Sequence, residues 1–321
     1  MYKKEFILTL LNINKIGRKT VNNLIHKPFL SYTDPQYILD FILSNLQKYK
    51  FELNIQDIII AKNKSLNIID YCEKNNIKIM TILDEDFPLK LKVIPDNPVI
   101  SFYKGNKSCI INNKSVAIIG TRNPTIESEE IARKLARLFS SKNYIVVSGL
   151  AHGIDYNAHM STVKNNSGTL AVLPSGISNI YPENHKYLCD EILYNNGCIL
   201  SEYFPFEAPY KNHFIERDRL QSGLSLGVIV VECETKSGTM HTVDFAKSQN
   251  KIICCYKHDN IQYNCRSGNM KLLEDKNIMV IENDYNIKLL ENLFESRLNE
   301  MNALDSCFAS LNEQIFFRFN N

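Results

Sequence analysis

The spacing of apolar positions divides the chain into two regimes. Up to about residue 75, apolar residues recur three and four apart, as in EFILTLLNI, TVNNLIHKPFL and YILDFILSNL. That period predicts amphipathic helices. From about 112 to 283 the pattern changes to short, continuous apolar runs separated by helical stretches. The runs are SVAIIG (115–120), YIVVSG (144–149), TLAVLP (169–174), CILSE (198–202), LGVIVVE (226–232) and KIICCY (251–256). Between them helices are predicted over 126–142, 153–165, 184–195 and 239–249, with a further helical segment just before the fifth run. Strands apolar on both faces that alternate with helices predict a parallel sheet covered on both sides.

Four units follow. Residues 1–75 read as a small helical domain, of the SAM or helix-hairpin-helix kind. Residues 76–111 read as a connector, because IKIMTILDEDFPLKLKVIPDNPVISFYKGN mixes a short strand with three prolines and no long periodic helix. Residues 112–283 read as a Rossmann-like α/β domain with a doubly wound, mostly parallel sheet. Residues 284–321 read as a helical tail that packs on the rest and ends in IFFRF.

Composition narrows the function classes. A chain of 321 residues with 44% hydrophobic positions has enough material for a sizeable core. Its net charge of +2 does not mark a nucleic-acid binder, so any such role needs a local basic surface. Nine cysteines without a CxxC pair argue against a zinc site, and no metal or other cofactor is expected. With no leader peptide and no apolar run of membrane-spanning length, a cytoplasmic protein with reduced thiols is expected.

In doubly wound sheets, ligands sit beyond the carboxyl ends of the strands. Those positions hold Gly120-Thr121-Arg122-Asn123-Pro124, then Ser148-Gly149-Leu150-Ala151-His152-Gly153-Ile154-Asp155, then Pro174-Ser175-Gly176, then Ser201 and Glu202, then Glu232 and Lys236-Ser237-Gly238-Thr239. Glycine admits close backbone approach and helix N-termini favour anions, so the series predicts an anionic ligand. GxxxxGK[ST] and GxGxxG are absent, which excludes the usual NTPase and dinucleotide signatures, and no GxSxG nucleophile elbow is read, since GLSLG (223–227) leads into an apolar run instead of following one. His152, Asp155 and His159 share a helix-opening segment, read as a capping aspartate with satisfied histidines rather than a metal site. ERDRLQSGLS places Arg217 and Arg219 just before a buried strand. Such arginines need an anion: Glu202, Glu232 or a phosphate. At the N-terminus, LNINKIGRKTVNNLI has the outline of a helix-hairpin-helix, in which Lys15, Gly17, Arg18 and Lys19 would make an accessory DNA contact. The alternative for that stretch is a plain packing module.

From about 76 to 283 these motifs resemble the DNA-processing protein A (DprA/Smf) family, a branch of the SLOG-type Rossmann-like proteins. The resemblance rests on TILDEDFPLKLKVIPDNPVISFYKGN, VAIIGTRNPT, VVSGLAHGIDYNAH, AVLPSGISNIYPENHKYL, ILSEYFP, FIERDRLQSGLS and VIVVECETKSGTMHTVDFA, in that order. It implies a dimeric, non-enzymatic protein that binds and protects single-stranded DNA and helps load a RecA-type recombinase in natural transformation. Carried over by position, the DNA- or phosphate-binding residues would be Arg122, Lys211, Phe214, Arg217 and Arg219, with Gly120, Gly149, Gly153, Ser237, Gly238 and Thr239 in the loops. Three departures stand out. The second loop's usual arginine is His152, Asp218 stands between the paired arginines, and Tyr256-Lys257 replaces a Pro-Gly. No winged helix follows the sheet. The competing expectation is a SLOG-type nucleotide sensor or nucleotide-cleaving enzyme, for instance in anti-phage defence. Against cleavage, Thr242 stands where that class carries its catalytic glutamate.

Overall fold

The computed structural model describes residues 2–27, 34–46, 52–260 and 262–319, side chains at residues 2 and 308–319 excepted. The end of the TVNNLIHKPFL run and the side chains of IFFRF therefore lie outside the described residues. The first region forms α1 (Tyr2–Asn12), α2 (Arg18–Leu24), α3 (Pro35–Asn45) and α4 (Ile55–Lys74). Local chemistry sets the starts of α3 and α4. Asp34 accepts from the Gln36 and Tyr37 amides with Pro35 at the first helical position, and Asn54 and Asp57 form a reciprocal capping box at α4. Phe6, Leu10, Ile38, Ile42 and Ile58 bury the inner faces, in a core continuous with Phe102, Leu188 and Ile199 of the sheet region.

Nine strands form one sheet in the order β1-β2-β6-β5-β4-β3-β7-β8-β9. They are β1 (Lys78–Thr81), β2 (Ile100–Gly105), β3 (Ser115–Ile119), β4 (Ile145–Ser148), β5 (Thr169–Val172), β6 (Cys198–Ser201), β7 (Gly227–Val230), β8 (Ile252–Tyr256) and β9 (Met279–Ile281). All pairs from β6 to β9 are parallel, whereas β1–β2 and β2–β6 are antiparallel. The six apolar runs are thus six central strands. The segment read as a connector adds two more, at one edge. Pro88, Pro95 and Pro98 interrupt it between the strands, which hides a hairpin-like pair from a periodicity reading. β9 has only three residues, too few to register as a run.

Helices cover both faces, among them the shorter α5 (Leu89–Lys92), α6 (Ser108–Ile111), α9 (Lys186–Tyr194) and α12 (Ser267–Leu273). Val116 and Ile118 pack with Leu135, Phe139 and Ala158 from α7 (Ile126–Ser141) and α8 (Ile154–Lys164), and with Leu290 and Phe294 from the terminal helix α13 (Asp284–Phe319). The alternate residues Ala117 and Ile119 face the other way, toward Leu220 and Leu224 of the α10 region (helix Lys211–Gly223) and Val243 and Ala246 of α11 (Thr239–Ser248). The start of the tail packs on the sheet through Leu290 and Phe294. No helix among the described residues is long and apolar enough to cross a membrane. From β3 the chain moves outward through β4, β5 and β6, then returns to the other side of β3 as β7. That reversal opens a crevice at the carboxyl ends of β3 and β7.

An ionic clasp joins the helical region to the sheet. Arg219 of α10 donates to both carboxylate oxygens of Glu202 at 2.8 and 2.6 Å and to the Asp96 carbonyl at 2.7 Å. Arg18 of α2 bridges the same partners, Asp96 Oδ2 at 2.5 Å and Glu202 Oε2 at 3.0 Å. Two site expectations change accordingly. Arg219 is 1% exposed and serves the clasp instead of facing a ligand. Arg18 is held by carboxylates and is not presented to solvent as a phosphate contact, while Lys15 and Lys19 remain exposed. Gly17 is the N-cap of α2 in extended backbone.

Removing one partner of a buried, hydrogen-bonded ion pair typically costs about 3–5 kcal/mol. Arg219→Ala is expected to lose stability in that range in urea denaturation. Arg219→Lys should recover only part of it, since lysine cannot reproduce the two-pronged contact.

Candidate nucleic-acid interface

The crevice at the switch point is a cavity of about 420 Å³. Four segments build its wall: Gly120, Thr121, Arg122 and Asn123 after β3, Asp155 at the start of α8, Phe214, Arg217 and Asp218 on α10, and Ser237, Gly238 and Thr239 before α11. Gly120, Arg122, Phe214, Arg217, Ser237, Gly238 and Thr239, placed here by sequence, thus converge in space. Lys211 does not line the cavity. It is exposed at the first residue of α10, one turn before Phe214, and has no carboxylate partner among the described residues.

The loops interlock backbone to backbone. Gly153 has φ +73, and a β-carbon there would overlap the carbonyls of Thr121 and Arg122. Gly149 is required for another reason: a β-carbon would strike the Arg217 guanidinium and the Gln221 amide. Arg217 lies directly over this glycine. Its Nη1 donates to the Gly149 carbonyl at 2.7 Å and to the Val172 carbonyl at 2.5 Å. Arg217 and Arg219 sit two residues apart, about 200° around a helix, so they leave α10 on opposite sides. That rotation explains why one reaches the crevice and the other the clasp.

Two carboxylates attend Arg217. Asp218 Oδ1 accepts from Arg217 Nε at 3.1 Å and from Gln221 Nε2 at 3.3 Å. Burial pushes the Asp218 carboxyl up to about 6, against the opposing pull of Arg217. Asp155 accepts from the Gly149 and Ala151 amides at 3.0 and 3.4 Å. Burial raises it too, with Arg217 and those hydrogen bonds opposing. The Asp155 carboxylate therefore organises the second loop.

The expectation of satisfied histidines holds only in part, since His159 Nε2 is buried without a hydrogen-bond partner. His159 is fully buried, and burial lowers it to about 3, so the ring is neutral. Its Nδ1 is 2.9 Å from Thr169 Oγ1, which itself donates to the Val146 carbonyl. The hydroxyl's proton being used there, His159 Nδ1 carries the donor hydrogen. His152 is exposed, edge-on to His185 at 4.4 Å. Among the described residues no group of three potential ligands is gathered for a metal.

Arg122 is the exposed cation at the mouth. Its guanidinium stands over the Phe214 ring at 5.4 Å, and Tyr181 meets the same ring edge-on at 5.3 Å. Gly238 and Thr239 open α11 into the cavity, and a β-carbon at 238 would meet nothing within 4 Å. Helix N-terminal amides there favour an anion. Sequence reasoning left Glu232 to pair with Arg217 or Arg219. Instead it is fully buried against Arg266 Nε at 3.1 Å and the Thr125 amide at 2.7 Å, tying the start of α7 to the segment after β8. Arg266, Gln221 and Tyr181 were missed. Nothing local marks Arg266, which lies 34 residues beyond its partner.

These features define a Rossmann-like α/β protein with a switch-point crevice lined by Arg122, Arg217, Phe214 and the residues that open α11. The family model for DNA recombination-mediator protein A matches residues 78–291, and the chain belongs to that family. It is 35% identical to DNA processing protein DprA of Bacillus subtilis over 180 residues, 56% of this chain and 60% of that one. To DprA of Streptococcus pneumoniae it is 38% identical over 173 residues, 54% of this chain and 60% of the relative. The matches thus span about 60% of the length of these relatives. The solved structure of S. pneumoniae DprA superposes with a TM-score of 0.68 at 26% identity, covering 90% of this chain and 95% of that one. DNA processing protein A from Helicobacter pylori, described for its single-stranded DNA binding mode, superposes with a TM-score of 0.60 at 30% identity, covering 67% and 96%.

The raised Asp218 carboxyl has a defined thermodynamic sign. Folded protein holds that proton to about pH 6, while the unfolded chain releases it near 3.8. Between those values the folded state binds more protons, so this group's contribution to stability falls as pH rises. Asp218→Asn lacks the effect. Its stability relative to wild type should therefore increase from pH 4 to pH 6, by about 3 kcal/mol at most. Urea denaturation of both proteins across that range measures it; a constant difference contradicts the assignment.

Proposed function

We propose that this chain binds single-stranded DNA at the switch-point crevice, protects it, and assists its transfer to a RecA-type recombinase. It would act as a homodimer in the cytoplasm, during DNA uptake or recombination, without catalysing a reaction. The observation that carries the reading is Arg122 over Phe214 at the mouth of the cavity. Single-strand binding combines cations that follow phosphates with rings on which bases stack, at about 1–3 kcal/mol per base. The amides that open α11 supply a second anion contact. Family membership supports the reading, as does the H. pylori relative described for its single-stranded DNA binding.

Arg217 plays a different part from Arg122. Its hydrogen bonds go to strand-end carbonyls and its charge faces Asp218 and Asp155, so it shapes the cavity floor. The informative double variant is therefore Arg122→Ala with Lys211→Ala. Each lost phosphate contact reduces the salt slope by about 0.7 for a single strand. Fluorescence titration of a labelled oligonucleotide across salt should show a slope reduced by about 1.4 and an affinity weakened tenfold or more. Unchanged binding would overturn the site.

One observation favours the rival reading: about 420 Å³ is within the range of small-molecule pockets, so a free nucleotide would fit. Thr242 lines the cavity in place of a catalytic glutamate, and Asp155 and Asp218 are already engaged by backbone amides and Arg217. Incubation with a nucleotide panel is expected to release no free base; steady release would replace the DNA reading with hydrolysis. For the recombinase step, preincubation with this protein should shorten the lag of RecA-type filament growth on strands coated with single-strand-binding protein. An unaltered lag would limit the role to protection.

A further inference from the structure

Arg122 and Asn123 belong to two hollows at once. One is the crevice already described. The other, of about 700 Å³, opens between the starts of α7 and α8. A third, of about 450 Å³, continues along the two helices and shares Arg133, Tyr156 and Asn157 with the second. The three adjoin end to end as one open groove from the switch point down the α7–α8 seam. At 1.5 Å per residue, the eleven residues of α8 give this extension a length of about 16 Å.

The groove has a definite chemical character. At its far end stand Arg137 and Lys164, both exposed. Neither has a carboxylate within ion-pair distance among the described residues. Arg122, at the near end, is likewise unpaired. Glu129 is the one carboxylate lining the second and third hollows among the described residues, and it contacts Arg133 at 3.3 Å. Glu130 and Asn157 hold the same arginine at 3.2 and 2.5 Å, so Arg133 is committed to its neighbours. Midway lies an aromatic rung. The Tyr187 hydroxyl donates to the Tyr156 hydroxyl at 2.7 Å, and Tyr187 remains 48% exposed. His152 and Tyr156 pack around His185 at 4.4 and 5.1 Å between rung and crevice. Unpaired cations at both ends and an exposed ring between them match a single strand, whose phosphates follow charge while a base stacks on a ring. A protein partner would be expected to meet a larger, drier apolar centre.

We infer that a bound single strand leaves the crevice past Arg122 and continues along the α7–α8 groove, its phosphates on Arg137 and Lys164 and a base on Tyr187. This rests on the single-strand reading above and extends it from a pocket to a path. The groove is then a length sensor: a strand of a few nucleotides fills the crevice alone, and only a longer one reaches the second pair of cations.

The test is titration of wild type and of Arg137→Glu with Lys164→Glu against fluorescent oligothymidylates of 5, 10, 15 and 20 nucleotides. Binding of the 5-mer should stay within about twofold of wild type. The 15-mer and 20-mer should weaken about tenfold or more, with a salt slope lower by about 1.4 for those lengths only. The same charge change at Lys74 and Lys78, which line none of the three hollows, should leave the length dependence intact. Equal loss at every length, no loss at any, or as large a loss in the control variant overturns the path while leaving the crevice in place. Absence of binding by wild type at every length defeats the single-strand reading itself. A second readout needs no variant. A 15-mer carrying 5-bromodeoxyuridine should photocross-link to the peptides containing Tyr156 or Tyr187, and cross-links confined to the crevice would contradict the path.

Discussion

The guanidinium of Arg217 lies across the carboxyl ends of two neighbouring strands, and the geometry of the crevice follows from it. One nitrogen satisfies both the Gly149 and the Val172 carbonyls, at the carboxyl ends of β4 and β5. Buried carbonyls need partners, and here a single side chain supplies them from above the sheet. Its position leaves no room for a side chain at residue 149. It also draws the Asp218 carboxylate alongside, and counters the burial that raises Asp155 beneath. Asp155 in turn holds the amides of the second loop, whose glycine at 153 seats against the first loop. Three loops that are distant in sequence are thus fixed by one charge and two carboxylates.

The same helix carries an opposite arrangement two residues on. Arg219 binds Glu202 and Asp96 on the far side of α10 and, with Arg18, joins the helical region to the sheet. An ERDR sequence therefore gives one helix two ionic anchors, one per side. This reverses the intuition that paired arginines mean paired phosphate contacts. The cations free to meet an anion are at other positions: Arg122 at the mouth and Lys211 one turn from Phe214.

The central architecture was legible because each parallel strand is buried on both faces and so appears as an unbroken apolar run. Strand bounds read from SVAIIG, CILSE or KIICCY differ from the structure by one flanking residue at an end, Gly120, Glu202 or Lys251. Of β1 and β2 only one short strand was legible, and not as part of the sheet, since three prolines lie between them. The loops of the site were legible from their position after strands, which is a topological rule and needs no contacts. What could not be read was direction. Nothing in ERDRLQSGLS says which arginine faces the crevice, since that depends on where α10 begins. The partner of Glu232 was equally hidden, because Arg266 reaches it from beyond another strand and the pairing exists only in three dimensions.

Charge balance decides between a free nucleotide and a strand as the more suitable occupant. A mononucleotide concentrates its negative charge at one end and is best held by a closed pocket with several convergent cations. In this crevice the deepest cation, Arg217, already faces Asp218 and Asp155, so a compact charge would find little uncompensated potential at the floor. The uncompensated cations lie outward, at Arg122 and Lys211, and the wall beyond Arg122 is open. A ligand whose charge is spread at intervals along a backbone would suit that distribution, and the proposed single strand would set one phosphate per exposed cation and its bases against Phe214. The departure at Asp218, which removes positive charge from the floor, therefore weighs against a small anion more than against an extended one.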